Sequence, residues 1–416
     1  MDCIIVQGGR PLTGEVTVGG AKNSALCIMT ATLLASGTHT ISGMPDLRDI
    51  ATMKRLLGHF GIQFSGAEEL TITTGDITNF EAPYELVKTM RASFLVLGPL
   101  VARFGRARVS LPGGCAIGLR PVDIHLKALE AMGVQISIDE GYVLATCHEL
   151  RGARIMFNMP TVGGTENILM AACLAKGTTV IENPAREPEI VELARALKSM
   201  GARIEGAGTD KIIIEGVDDL KPLHFTVMPD RIEAGTLMIA GGITGGDIRI
   251  KNCPVDVMGS TIEKLRESGF IIDDGPDEVR VRRNGYLKPL EITTNPYPGF
   301  PTDMQAQIMA LLTLAEGTSI IRETIFENRF IHVAELDRMG ANIKVERDTA
   351  IIGGVKKLKG ARVMASDLRA SASLIIAGLA AKGTTVISRV YHLDRGYYKL
   401  EKKLQGLGAE IYREKE

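Results

Sequence analysis

Along this chain, apolar, alanine-rich runs with helical spacing alternate with short β-branched runs, and glycine stands where one gives way to the other. Gly37-Thr-His-Thr-Ile, Gly177-Thr-Thr-Val-Ile, Gly317-Thr-Ser-Ile-Ile and Gly383-Thr-Thr-Val-Ile each follow an apolar helical run and open a run that reads as a strand. Weaker copies begin at Gly105 and Gly245, so the pattern repeats every ~70 residues. A second helical pattern follows in each copy. It ends at Gly61, Gly133, Gly201, Gly269, Gly340 or Gly408, where a left-handed residue past a helix end favours glycine. The unit is helix, strand, helix, strand, with further short strands between, and the chain holds six of them.

Three units per domain is the natural division, with a break near Met228-Pro-Asp-Arg231. One domain is then residues 22–229, and the other joins 1–21 to 230–416. Met1 to Gly20 reads as a hairpin-like segment ahead of the first unit. No Gly/Ser-rich or Pro-rich linker separates the halves, which implies short crossings and a cleft between the domains. The fold class is α/β.

Composition narrows the function. A chain of 416 residues exceeds one ordinary core. Its 48 Lys and Arg nearly balance 49 Asp and Glu, so nothing draws it generally to nucleic acid or an anionic membrane. An anionic ligand would have to be held by local positive groups. The start of the chain lacks the basic and apolar regions of a signal peptide, and no apolar stretch is long enough to span a bilayer. The six cysteines, at 3, 27, 115, 147, 173 and 253, lack metal-ligand spacing. A cytoplasmic protein without disulfides or zinc is the expectation. Phosphate-loop, dinucleotide, zinc-protease and nucleophile-elbow motifs are all absent.

Two features carry candidate chemistry. Leu111 to His125 is a loop rich in glycine and proline, with Cys115 five residues before Arg120 and a helix start at Pro121. A thiol near a guanidinium and a helix N-terminus is open to activation; a small apolar side chain packed under a turn is the alternative. The other five cysteines lie in or beside apolar runs and read as core. His125, one turn into the following helix, reads either as a neighbour of the site or as a helix-surface residue.

The second feature emerges fourteen residues before each repeat glycine. There stand Asn23, Arg91, Gly163, Arg231, Asp303 and Arg369, beside Lys22, Asp230 and Asp367, at or near helix starts. Helix N-termini attract anions. Capping alone would account for Asn23, Ser24, Thr161, Asp303, Ser366 and Asp367. It does not account for Lys22, Arg91, Arg231 and Arg369, since cations are disfavoured in a first turn.

Together these residues carry a resemblance. Pro112-Gly-Gly-Cys-Ala-Ile-Gly-x-Arg-Pro-Val-Asp-x-His125 resembles the cysteine loop of the UDP-N-acetylglucosamine enolpyruvyl transferases. Gly19-Gly-Ala-Lys-Asn-Ser24, Glu182-Asn-x-Ala-Arg-Glu-Pro-Glu189, Pro301-Thr-Asp-Met-Gln305, Thr324-Ile-Phe-Glu-Asn-Arg-Phe330 and Asp367-Leu-Arg369 are similar to that family too, in order and across the whole chain. The resemblance implies a two-domain inside-out α/β barrel of six βαβαββ repeats, with the active site in the interdomain cleft. It implies transfer of the enolpyruvyl group of phosphoenolpyruvate to the 3-hydroxyl of UDP-N-acetylglucosamine, with release of phosphate and with no metal or organic cofactor.

By the same resemblance, Cys115 is the proton donor and can form a covalent adduct, and Asp303 is the candidate base. Phosphoenolpyruvate falls to Lys22, Asn23, Arg120, Arg369 and Arg395. UDP-N-acetylglucosamine falls to Asn23, Arg91, Arg120, Pro121, Val122, Asp123, Ile124, Thr161, Val162, Gly163, Asp303, Ile325 and Arg329. Met159 stands where some members carry a lysine. Sugar binding is expected to close the cleft and order residues 112 to 121, and fosfomycin is expected to attack Cys115. A shikimate-phosphate enolpyruvyl transferase shares the fold but lacks the cysteine loop. A clamp around nucleic acid would need a basic inner face, and a non-catalytic UDP-sugar-binding paralogue would not need Lys22, Cys115, Asp303 and Arg395 together.

Overall fold

The computed structural model describes residues 2–66, 69–113, 122–283 and 285–415. Cys115, Arg120 and Pro121 lie outside the described residues. Among those described, the strands form six sheets of four strands each, all built on one plan. The third repeat shows it. Arg154–Met156 pairs in parallel with Thr178–Glu182, which pairs antiparallel with Lys211–Glu215, itself antiparallel to Arg203–Glu205. Parallel neighbours need a crossover, and the helix Val162–Ala172 supplies it. A second helix, Pro188–Ser199, leads to the last two strands. The βαβαββ unit follows directly.

The two helices of a repeat differ in kind. Arg231–Ile243, Gln305–Leu312 and Leu368–Ala380 are buried nearly all round, as are Lys22–Ala31 and Val162–Ala172 past their first residues. That accounts for their apolar, alanine-rich sequences, which have no polar face to offer water. The second helices, such as Arg48–His59, bury one face and expose the other. All six glycines that close them have φ between +88° and +108°, the left-handed region that only glycine enters freely.

The N-terminal segment corrects one expectation. Asp2–Gln7 and Thr13–Thr17 do not form a hairpin. Asp2–Gln7 lies between Thr384–Ser388 and Glu410–Lys415, antiparallel to both, and Thr13–Thr17 pairs in parallel with Asp247–Lys251. Repeats four and six each lack a strand of their own, and the start of the chain provides both. In the same way His224–Thr226 turns back to pair with Gly37–Ser42 of the first repeat.

The chain divides into two compact units, one of residues 2–19 with 229–415 and the other of the described residues from 20 to 228. Each has an apolar core of its own. Among the described residues, no helix is long and apolar enough to cross a membrane.

Candidate active site

In the unit that holds residues 229–415, the candidate base sits in a 3-10 turn, Thr302–Met304, ahead of the helix Gln305–Leu312. Asp303 is not a helix cap, contrary to one reading of its position. Both its carboxylate oxygens accept from arginine: Oδ1 from Arg329 Nη2 at 2.9 Å and Oδ2 from Arg369 Nη2 at 2.7 Å. Both guanidinium groups are buried, while Asp303 stays partly exposed. Burial alone would lower the Arg369 pKa. Asp303, Tyr397 and Asp230 outweigh it, so the net shift is upward and the charge is held. Three side chains from distant stretches thus meet as a charged cluster open on one side.

Capping does operate at the neighbouring helices. Asp367 accepts from the amides of Arg369 and Ala370 at 2.8 and 3.0 Å, and Asp230 accepts from those of Ile232 and Glu233 at 2.8 and 3.1 Å. Each carboxylate offsets the cation that follows it in the first turn. Ser366 donates to Asp367. Ile325 donates its amide to Glu323 Oε1 at 2.9 Å, which also accepts from the Phe326 amide and fixes the turn between Thr318–Arg322 and Arg329.

Arg395 ends a 3-10 segment, Val390–Arg395. Arg389 before it and Lys399 after it are left-handed, with φ of 57° and 44°. Side chains with a Cβ rarely take that conformation, at a cost on the order of 1–2 kcal/mol each. What over-determines the segment is visible on its far side. Asp394 accepts both Nη groups of Arg413, at 3.0 and 2.6 Å, and Arg413 also reaches Glu401 at 3.1 Å. Neither Arg413 nor Glu401 carries a motif that would announce this in sequence.

In the other unit, Lys22 and Asn23 open the helix Lys22–Ala31, whose N-cap is Ala21. Asn23 and Ser24 therefore lie in the first turn and do not cap it. Lys22 Nζ is 3.5 Å from Asp49 Oδ2, and Ser24 donates to the Glu192 carboxylate. Arg91 begins a 3-10 turn, Arg91–Val96. Thr161 caps Val162–Ala172 by accepting from the Gly164 amide at 3.3 Å, with Val162 exposed and Gly163 half-buried behind it. Met159 is exposed.

Past the undescribed stretch, Val122 is buried, Asp123 exposed and Ile124 half-buried at the start of Asp123–Ala131. His125 is buried, which corrects the helix-surface alternative. Its Nδ1 lies 3.1 Å from Asn167 Nδ2, and Asn167 Oδ1 accepts the Gly98 amide at 2.6 Å. Since Asn167 Nδ2 can only donate, the imidazole accepts at Nδ1 and is neutral. Burial and the charge of Arg91 hold its pKa down to about 4. A Cβ on Gly163 would stand 3.2 Å from this ring, so the histidine packs the helix after the cysteine loop against the Thr161–Gly163 turn.

Behind Ser24 lies a feature with no signature in sequence. Glu166 and Glu192, on the helices Val162–Ala172 and Pro188–Ser199, are buried beside Glu189. Burial and the neighbouring carboxylates raise Glu166 to about 8. Burial, Glu189 and the Met228 amide leave Glu192 at about 7, the amide pulling the other way. Of the other cysteines, Cys3, Cys27, Cys173 and Cys253 are buried, but Cys147 is only half-buried just past a strand end, which corrects its reading as core. Among the described residues, no group of three or more His, Cys, Asp or Glu could hold a metal ion.

Charge-bearing residues at helix starts, together with an α/β architecture of six repeats, define a class that comparison makes explicit. The family of EPSP synthase (3-phosphoshikimate 1-carboxyvinyltransferase) matches residues 6–404, and the chain belongs to this enolpyruvyl transferase family. It is 58% identical to a UDP-N-acetylglucosamine 1-carboxyvinyltransferase of Thermodesulfovibrio yellowstonii, over 99% of this chain and 100% of the relative. It is 57% identical to the protein of that name from Myxococcus xanthus, over 100% of both chains. Among solved structures, the enolpyruvyl transferase NikO from Streptomyces tendae superimposes with a TM-score of 0.88 at 27% identity, covering 99% of this chain and 98% of that one. An EPSP synthase from Acinetobacter baumannii shares the fold with a TM-score of 0.78 at 20% identity, over 100% of each chain.

Proposed function

We propose that this chain is a UDP-N-acetylglucosamine 1-carboxyvinyltransferase, a cytoplasmic enzyme of peptidoglycan synthesis. It transfers the enolpyruvyl group of phosphoenolpyruvate to the sugar 3-hydroxyl and releases phosphate. The choice of sugar rests on the full-length likeness to relatives of that name, together with the cysteine loop, which a shikimate-phosphate enzyme does not need.

The chemistry assigns the roles. Addition puts a proton on the methylene carbon of phosphoenolpyruvate and a sugar oxygen on the carbon beside it, with the hydroxyl proton passing to a base. Elimination then expels phosphate as a methyl proton is lost, which restores the double bond. Cys115 delivers the proton to the methylene carbon. Asp303 receives the hydroxyl proton: its two oxygens offer about four acceptor sites, and the arginines occupy two of them. Arg329 and Arg369 hold the carboxylate in one orientation while it waits. Lys22, Asn23, Arg120 and Arg395, with Arg369, neutralise the phosphate and carboxylate through charge-assisted hydrogen bonds. Arg91, the segment Arg120 to Ile124, Thr161 to Gly163 and Ile325 line the UDP-sugar site, joined by Asn23, Asp303 and Arg329.

Labelled phosphoenolpyruvate mixed with UDP-N-acetylglucosamine should release phosphate and yield the enolpyruvyl sugar; turnover of shikimate 3-phosphate alone would sink the reading. Fosfomycin should inactivate the native enzyme and not Cys115→Ser. Full inactivation of that variant would mean that another residue is attacked.

A further inference from the structure

Beneath the Asp303 cluster lies a buried tyrosine that no motif singles out. Tyr397 is almost wholly inside the protein, and its hydroxyl touches three side chains from three helices. Arg369 Nη1 approaches at 3.3 Å, Gln307 Nε2 at 3.2 Å and Thr236 Oγ1 at 2.9 Å. The direction of each bond can be worked out.

Gln307 also lies 2.9 Å from the main-chain carbonyl of Asp303, which can only accept, so the amide nitrogen faces that way. Guanidinium and amide nitrogens only donate. The tyrosine oxygen accepts from Arg369, and the second hydrogen of the Gln307 amide is shared between that oxygen and Thr236 Oγ1, each 3.2 Å away. Thr236 spends its own hydrogen on the Ile232 carbonyl at 2.7 Å, so its oxygen accepts the tyrosine proton. The tyrosine proton therefore goes to Thr236, and a tyrosine lone pair is aimed at Nη1 of the guanidinium whose Nη2 holds Asp303 Oδ2, while the buried Gln307 Oε1 has no partner among the described residues. The ring centroid stands 5.6 Å from the Arg369 Cζ, which limits how that guanidinium can roll.

We infer that Tyr397, backed by Thr236 and Gln307, is a positioning residue for the enolpyruvyl transfer. It sets the roll of Arg369 and, through it, the orientation of the Asp303 carboxylate. Gln307 ties the same hydroxyl to the Asp303 main chain, so carboxylate and guanidinium are referred to one point. This inference rests on the function proposed above, and its test separates the two.

The test is a double-mutant cycle on phosphate release from phosphoenolpyruvate and UDP-N-acetylglucosamine. Tyr397→Phe, which keeps the ring, should lower kcat about ten-fold, the worth of one hydrogen bond to a charged group, and leave KM for the sugar nucleotide within about two-fold. In an Arg369→Lys background the same change should add almost nothing, because it acts through that arginine. A full further loss in that background, or an unchanged kcat in the single variant, would overturn the inference. Should Tyr397→Phe fail to fold, Thr236 gives the answer: Thr236→Ser keeps the acceptor and should retain kcat, whereas Thr236→Val should lower it. Equal losses in both also overturn the inference. Wild-type enzyme that releases no phosphate from this substrate pair would instead overturn the function itself, and the inference with it.

Discussion

At the scale of single residues, the site is a problem of paired charges in a low-dielectric place. Asp303 pairs through one oxygen each with two buried guanidinium groups. Asp303→Ala should destabilise its unit by about 3–5 kcal/mol, since it removes the carboxylate that both buried cations pair with. Urea midpoints measure that directly. Asp303→Asn should cost less stability, because it keeps an oxygen acceptor, and should still abolish turnover because it cannot take a proton. An Asn variant with native kcat would remove Asp303 from the role of base. Of the two cations in this cluster, Arg369 was legible in the sequence because, like Lys22, Arg91 and Arg231, it stands where a first helical turn disfavours a positive charge, whereas Arg329 came only with the family resemblance. Tyr397, Thr236 and Gln307 were not legible: Thr236 and Gln307 are unremarkable residues in apolar helical runs, Tyr397 stands in a polar stretch after Gly396, and they meet only because helices from three repeats converge on that stretch. Whether Asp303 caps a helix was likewise undecidable from sequence, as its partners lie 26 and 66 residues away.

Elements carry the next level of consequence. The helices Val162–Ala172 and Pro188–Ser199 bring Glu166 and Glu192 into a buried site where both prefer to be protonated. Their folded pKa values stand above the unfolded value of 4.5. The stability they contribute is therefore full below that value and is lost as pH rises through about 7 and about 8. Burial works in the opposite sense on His39, His125 and His332, each held near about 4. Their contribution is present above 6.5 and lost as pH falls towards 4. Between pH 6.5 and 8 these two glutamates still favour the protonated form in the folded state while the three histidines have finished titrating, so the thermal midpoint should fall across that interval, and Glu166→Gln should flatten the fall. A midpoint that rises there, or a variant that follows the native slope, would contradict this account.

The segment Val390–Arg395 is also an element-scale device. Asp394 is anchored by Arg413 from the C-terminal strand, and the anchor sits next to Arg395 in the chain. Arg413→Met should raise KM for phosphoenolpyruvate several-fold by loosening Arg395. An unaltered KM would leave the anchor a purely structural one.

For the whole molecule, the repeat of apolar helix, glycine and β-branched strand was enough to count six units and to place the glycines that close their second helices. What local patterning could not show is that the ends of each unit are exchanged. A strand's partner depends on a pairing hundreds of residues away, and Asp2–Gln7 carries the same alternation whether it folds back on Thr13–Thr17 or lies between Thr384–Ser388 and Glu410–Lys415. Removing residues 2–7 should therefore do more than fray an end, because it takes an interior strand from a four-stranded sheet. Hydrogen exchange should show protection lost throughout the sixth repeat while residues 20–228 keep theirs. Retained protection in Thr384–Ser388 would argue against that central place.

That interior position also bears on how the protein is made. At about 5–20 residues per second, the first strand leaves the ribosome tens of seconds before the last one exists. The unit of residues 20–228 has all its strands in hand midway through translation. The unit that holds Asp303 and Arg369 cannot close its sixth sheet until Glu410–Lys415 emerges. Meanwhile, the segment Asp2–Gln7, apolar at Cys3, Ile4, Ile5 and Val6, waits with both edges open. Nascent chains of this protein should depend on protection of the segment Asp2–Gln7 until Glu410–Lys415 has been made.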